Sequence, residues 1–519
     1  MTTLTCEFTR SKFSRKLLFV LPFVGAIFLA SCGGVVGSLT SFTPPPVTSL
    51  SASDITALVQ AAAQAADPNT MVIAVVDRAG RVLGVYRKPA APTLVTGNFG
   101  SQVDANELAV SLARTGAFFS NDQAPLSSRT VRFISGIHFP PGVTNAPNAA
   151  LYGIENSNRG CTLSTNYAAG QSVPPARSIS SATTGLGIAT GKADMVDSDP
   201  NAVNPGGVPL FRNGSLVGGI GVAGVGPDVA EYAAYSAATS NGFGPTPAAP
   251  GVVFIDGVAL PFVNQTTRPA GVGTGSFSAA LFVAGPSASP GPPPEGTLVA
   301  PAAGPLGGLS ASDVTQIINN AVATANTTRA VIRLPIGSSA RMAIAVADLD
   351  GTIIGMYRMA DSTVFSIDVA ATKARNMVYF SGGARTAGDL TGVPIGTAVT
   401  NRTIGYGAQP FFPSGIDGSA PGPFFNLYEQ DVANPCTQGF QVAGPNQSGV
   451  VFFPGSVPLY RNGNLVGGLG VSGDGVDQDD FVAAGGSVGF EAPAAIRADQ
   501  VVVQGVRLPY LKFPTNPTN

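Results

Sequence analysis

The chain has 519 residues, enough for two to four domains of ordinary size, each able to bury a core. Charged side chains make up 11% of it against about 25% in ordinary soluble domains. The formal net charge is −2 with no block of like charges, which excludes the basic footprint of a nucleic-acid binder. One histidine, His138, leaves nothing to build a His-rich metal centre, and no metal site is expected.

Arg10, Lys12, Arg15 and Lys16 precede an apolar run from Leu17 to Ala30, the pattern of an export signal. As a helix the run spans about 21 Å, short of the ~30 Å hydrocarbon core, so a permanent span is the weaker reading. The run ends in Leu29-Ala30-Ser31-Cys32, which resembles a bacterial lipobox. Residues 1–31 are therefore expected to be a lipoprotein signal peptide, with Cys32 the lipidated N-terminus and residues 32–49 a flexible tether through Pro44-Pro45-Pro46. The expected location is a membrane surface facing the periplasm or the cell exterior. Gly33, where an acidic residue would hint at inner-membrane retention, points to the outer membrane if there are two.

Self-comparison finds two copies of one domain. Leu50-Ser-Ala-Ser-Asp54 recurs as Leu309-Ser-Ala-Ser-Asp313, each followed by apolar residues at helical spacing, with Ser53 and Ser312 the expected N-caps. Hairpins follow, turning at Gly80 and Gly351, then helices holding Ala113-Arg114 and Ala374-Arg375. The strongest repeat is Val208 to Gly224 against Val457 to Gly473, two strands around Asn213-Gly214 and Asn462-Gly463 turns. Glycines weaken a strand interior, so those after each turn imply close backbone approach by a neighbouring helix or by a ligand. The boundaries read as domain 1 over 50–265, a Pro/Gly-rich linker over 266–308 with little capacity to fold between Pro290 and Pro305, domain 2 over 309–512 and a tail over 513–519.

At Asp348-x-x-Gly351, Tyr357-Arg358-Met359, the Ile367 to Ala374 helix and Gly467 to Gly473 with Asp477, Asp479 and Asp480 after it, the sequence resembles the GlcG/HbpS family of haem-binding or haem-degrading domains. Copy two is the better match. The resemblance implies an α+β, profilin-like fold with a five-stranded antiparallel sheet flanked by helices, commonly assembled into dimers or larger oligomers. Two such domains in one chain would form an intramolecular pseudo-dimer. It also implies haem or a related tetrapyrrole as ligand. Copy one departs from the pattern, with Leu112, Ala223 and Ala230 where copy two has Lys373, Ser472 and Asp479.

Haem calls for an apolar slot and an axial ligand. His138 is the one imidazole, but Phe411 occupies its position in copy two, and Tyr406 is a second candidate. Arg129 and Arg402, equivalent positions, could hold a carboxylate by paired hydrogen bonds or anchor a loop. Lys373 reads as an anion contact or a solvated helix face, and Ser472 lies beside it in the pattern. Asp477, Asp479 and Asp480 stand where a helix begins, and capping is their default role. Cys161 and Cys436 follow Leu151-Tyr152 and Leu427-Tyr428 by nearly equal distances. In an oxidising compartment they are expected to form one disulfide joining the copies. The functions that fit are tetrapyrrole binding, a haem-degrading enzyme, or an envelope scaffold that has lost the ligand and binds another envelope protein.

Overall fold

In the computed structural model, which describes residues 49–159, 161, 188, 205–245, 253–285 and 294–518, both repeats open on the same capping device. Ser51 Oγ accepts the amide N–H of Asp54, while the Asp54 carboxylate accepts the amide N–H of Ser51 at 2.8 Å. Helix α1 (Ala52–Ala65) thus starts earlier than expected, capped by Ser51 and not Ser53. The reason is spacing: only Ser51 has an acidic residue three positions on, which closes a reciprocal pair of bonds. Its apolar stripe, Ile55, Leu58, Val59, Ala62 and Ala63, is buried.

The first repeat continues through β1 (Val72–Asp77), β2 (Val82–Arg87), α2 (Ala105–Phe119), α3 (Ser128–Phe133), β3 (Gly207–Arg212), β4 (Ser215–Ala223), α4 (Pro227–Ser240) and β5 (Phe282–Ala284). The strands pair antiparallel in the order β3-β4-β1-β2-β5. The second repeat runs β6 (Gly296–Val299), α5 (Ala311–Thr327), β7 (Ala343–Ala347), β8 (Ile353–Arg358), α6 (Phe365–Ser381), α7 (Asn401–Gly407), α8 (Phe425–Ala433), β9 (Ser456–Arg461), β10 (Asn464–Ser472) and α9 (Val476–Gly486). Its order, β6-β8-β7-β10-β9, is the same sheet with the edge strand entering from the other end of the chain segment. Each repeat is therefore the α+β, five-stranded antiparallel domain expected. Ser310, paired with Asp313, caps α5 in place of Ser312.

One finding differs from the sequence reading. The linker stretch is not structureless where it is described, because Phe282–Ala284 and Gly296–Val299 supply the fifth strand of each sheet. Short runs with apolar and β-branched residues can pair along an exposed edge even when proline and glycine flank them. The closing segments of each repeat, by contrast, fold as separate two-residue hairpins, Phe254–Ile255 with Val258–Ala259 and Val502–Val503 with Val506–Arg507.

The strand glycines are explained by a helix and not by a ligand. A Cβ on Gly219 or Gly221 would lie 2.1 Å from Ala113 O or 2.0 Å from Ala109 O, and on Gly468 or Gly470 within 2.2 Å of Ala374 O or 2.1 Å of Ala370 O. Helices α2 and α6 rest directly on the sheet backbones. Their other sides meet the opposite repeat, so every residue of α6 is buried, as expected of a helix enclosed on all sides. One apolar core runs through both repeats, joining Val76 and Phe118 to Ala345, Phe365 and Val451.

Equivalent residues meet at the seam, the mark of an approximate twofold axis. Tyr152 stacks on Tyr428 with ring centroids 5.5 Å apart, and Cys161 is disulfide-bonded to Cys436 with Cα atoms 5.3 Å apart. An ionic cluster adds to the seam: Asp361 accepts from Arg78 of the first repeat and, at 2.6 Å, from Arg333, which also pairs with buried Asp474. The expected signal peptide, Cys32 and the tether up to residue 48 lie outside the described residues.

Candidate functional site

Helix α7 is short and capped at Thr400, whose side chain accepts from the Thr403 amide. Arg402 and Tyr406 lie one turn apart on it and so share a face. That face borders a cavity of about 1110 Å³ at the seam. Walls come from both repeats: Phe119, Phe139 and Tyr152 from the first, Phe365, Phe452 and Phe453 from the second. Ser472 at the end of β10 and Asp477 and Asp479 at the start of α9 complete the polar side. Four residues singled out in the sequence, Arg402, Tyr406, Ser472 and Asp479, are thus brought to one enclosure.

The carboxylates at α9 do not cap it. The N-cap is Gly475, with no side-chain cap, and the acids turn instead to cations from other elements. Arg402 Nη2 donates to Asp477 Oδ1 at 2.6 Å and Arg402 Nε to Asp480, while Lys373 Nζ donates to Asp479 Oδ2 at 3.1 Å and to Val471 O at 2.8 Å. A charged partner at close range outweighs the modest gain from a helix end. Asp480 also accepts the amides of Gly455 (2.8 Å) and Lys512 (3.1 Å), which fixes two neighbouring segments.

Lys373 is wholly buried, so the solvated-face reading is corrected: both sides of α6 are covered by protein, and its ammonium sits 4.8 Å from the Phe453 ring centroid. Burial pushes the lysine down and pushes the Asp479 carboxyl up to about 7, against the pull of Lys373. Arg402 is held above its ordinary range because Asp480 and Asp477 outweigh the effect of burial. Burial likewise raises the Tyr406 hydroxyl. That hydroxyl has no hydrogen-bond partner among the described residues, and its ring packs edge-on to Phe412 at 5.3 Å.

Arg129 lies outside this enclosure. Its Nε and Nη2 donate to the two oxygens of Glu231 at 2.6 and 3.1 Å, and Glu231 also accepts the amides of Asn264 and Gln265. The Arg402–Asp480 pair does the same in the second repeat, so both arginines anchor loops. His138 is not a cavity residue either. Its Nε2 is 2.8 Å from Asp417 Oδ1, joining a loop of the first repeat to one of the second.

Sequence reading missed Asn148, Gln409 and the tail. Lys512, Phe513, Pro514 and Thr515 line the cavity, and beyond them Pro517 O accepts the Arg329 amide at 2.8 Å. No periodicity or motif announces these positions, because a loop's neighbours are set by the rest of the fold.

Fold and cavity together define a class: a tandem α+β protein whose two sheets enclose helices and leave a ligand-sized space at the seam. Residues 309–487, which make up most of the second repeat, match the family model described as haem degrading protein HbpS-like. No curated protein matches the chain. Among solved structures, a PduOC–haem complex is 23% identical over 36% of this chain and 96% of its own, with a TM-score of 0.24. Protein ORFY of Klebsiella pneumoniae is 19% identical over 34% of this chain and 86% of its own, with a TM-score of 0.22.

Proposed function

We propose that this chain is an exported, lipid-anchored protein that binds haem or a related tetrapyrrole in the seam cavity. The observation that carries the reading is the convergence of an aromatic-walled space of about 1110 Å³ with Arg402, Tyr406, Ser472 and Asp479 in a chain whose second repeat matches the HbpS-like family model over most of its length. The volume lies just above the range of about 300–1,000 Å³ usual for small-molecule sites. The residues fit the group. Phenylalanine rings offer a slot for a flat macrocycle, and Arg507 is an exposed cation on the cavity wall for a carboxylate, while the exposed Lys512 Nζ pairs with Asp477 Oδ2 at 2.8 Å. Tyr406 supplies an oxygen of a type that holds haem iron. Bound iron would supply redox chemistry there, while the chain's own residues bind, orient and exclude water.

Titration with haemin tests this: a saturable Soret shift is expected, changed in position by Tyr406→Phe and unchanged by His138→Ala. Absence of saturation would end the haem reading. The description of the matched family favours a second reading, a haem-degrading enzyme, for which the bound Soret band would be lost with a reductant and oxygen. The anchor rests on the basic stretch, the apolar run and Cys32. Cys32→Ser is expected to release the protein from membranes, and unchanged partitioning would remove the anchor from the proposal.

A further inference from the structure

The wall of the seam cavity is uneven. Phe119, Phe365, Phe452 and Phe453 line it from within the core. The lining residues that are also exposed are Pro147 and Asp256 of the first repeat and Arg507, Lys512, Phe513 and Thr515 of the second. Lys512, Phe513 and Thr515 belong to one run of chain, which has the cavity on one side and water on the other. A single thickness of chain separates the two there.

That run is pinned at its ends and loose between them. The Lys512 amide donates to Asp480 Oδ2 at 3.1 Å, and Pro517 O accepts the Arg329 amide at 2.8 Å. From Phe513 to Asn516 no hydrogen bond ties the chain to another described residue. Two side-chain contacts hold it down: Lys512 Nζ pairs with Asp477 Oδ2 at 2.8 Å, and the Phe513 ring meets Phe481 edge-on at 5.4 Å. The Lys512 side chain is 66% exposed, and an ion pair so placed is worth little. Asp477 also accepts from Arg402 at 2.6 Å, so one carboxylate connects this latch to the arginine of the site. The corresponding stretch of the first repeat is fastened along its length. There the Asn264 and Gln265 amides donate to Glu231, Arg268 Nε to Ala65 O at 2.9 Å and the Gly275 amide to Gln64 O at 3.0 Å. A Cβ on Gly275 would lie 2.1 Å from Ala66 O, so that stretch rests against the end of α1.

We propose that residues 513–516 are a strap that gates the seam cavity. It lifts between its two pins when Lys512 and Phe513 let go of Asp477 and Phe481, and ligand enters and leaves through the gap. The proposal concerns access to the site and rests on the reading that the cavity takes a ligand. A gate scales entry and exit together, whereas a wall contact made only to bound ligand changes exit alone.

The test is stopped-flow binding of haemin to the full chain and to its Lys512→Ala, Phe513→Ala double variant. Association and dissociation should each quicken about fivefold or more, the effect of losing one exposed ion pair and one ring contact. Kd should change less than about twofold, as a gate requires. Lys512→Arg with Phe513→Tyr keeps the ion pair and the ring and should return wild-type rates, and unchanged unfolding midpoints establish that both variants are folded. The same rates are measured with anilinonaphthalene sulfonate, an apolar dye that brightens on leaving water, so the gate is tested without haem. Quicker exchange of the dye with no saturation by haemin ends the haem reading and leaves the strap. Rates unchanged in the double variant, or dissociation alone quickened, overturn the strap whichever probe reports them, and saturation by haemin then leaves haem binding standing. Binding of neither probe overturns both.

Discussion

The two repeats solve one packing problem in two ways. In the second, Lys373 of α6 and Asp479 of α9 form a wholly buried ion pair beside the cavity. In the first, the equivalent positions on α2 and α4 are Leu112 and Ala230, both buried. The four central strands of each sheet, the helices packed on them and the capping boxes correspond, and the Arg129–Glu231 and Arg402–Asp480 anchors match. An apolar pair holds the fold as well as a charged one, as buried ion pairs usually break even against well-packed apolar residues. The fold alone therefore gives no reason for charge at Lys373 and Asp479. The position of Asp479 on the wall of the seam cavity, which the first repeat's Ala230 does not share, does give one.

The largest expected effect breaks that comparison at its centre. Asp479→Ala leaves the Lys373 ammonium buried without its partner and should destabilise by about 3–5 kcal/mol. The double change Lys373→Leu with Asp479→Ala, which writes the first repeat's residues into the second, should recover most of the loss. Urea midpoints of the single and double variants check this. If the double variant is as unstable as the single, the ion pair has a structural role that its apolar counterpart does not share.

Next in size is the seam. Cys161→Ser should destabilise by about 2–4 kcal/mol, because the disulfide closes a long loop in the unfolded chain. The same midpoints, compared with and without reductant, measure it, and a reductant that changes nothing in the wild type would refute the effect. This bond was legible in the sequence because it joins equivalent residues, and duplication makes equivalence visible. So were the helices, the hairpins and the close helix-on-strand contact behind the glycines. What was not legible depends on contacts far apart in the chain. Lys373 read as an anion contact or a solvated helix face and Asp479 as a cap, and their pairing stayed hidden because nothing local brings α6 against α9. His138 read as an iron ligand candidate, since nothing in its own loop reveals Asp417 across the seam. The fifth strands were hidden because their ends are rich in proline and glycine, while pairing is decided by a sheet edge elsewhere.

The smallest expected effect sharpens the comparison at the seam through pH. Asp431 of α8 is buried and receives the Asn156 amide of the first repeat at 2.9 Å and the Val450 amide at 2.7 Å. Arg159 approaches only to 3.6 Å, and burial pushes the carboxyl up to about 7. The unfolded chain has a carboxyl near 4, so between these values the folded state holds a proton the unfolded state has lost. This group's stabilisation is then complete below about pH 4 and is lost as pH rises through about 7, at up to about 1.4 kcal/mol per pH unit. Unfolding midpoints should fall from pH 5.5 to pH 8.5, and Asp431→Asn should flatten that fall. The position in the first repeat holds Glu155, which is bonded within its own repeat to Ser135 Oγ at 2.9 Å. An equal pH slope in wild type and Asp431→Asn would place the dependence in other groups and leave the seam carboxylate a purely structural acceptor.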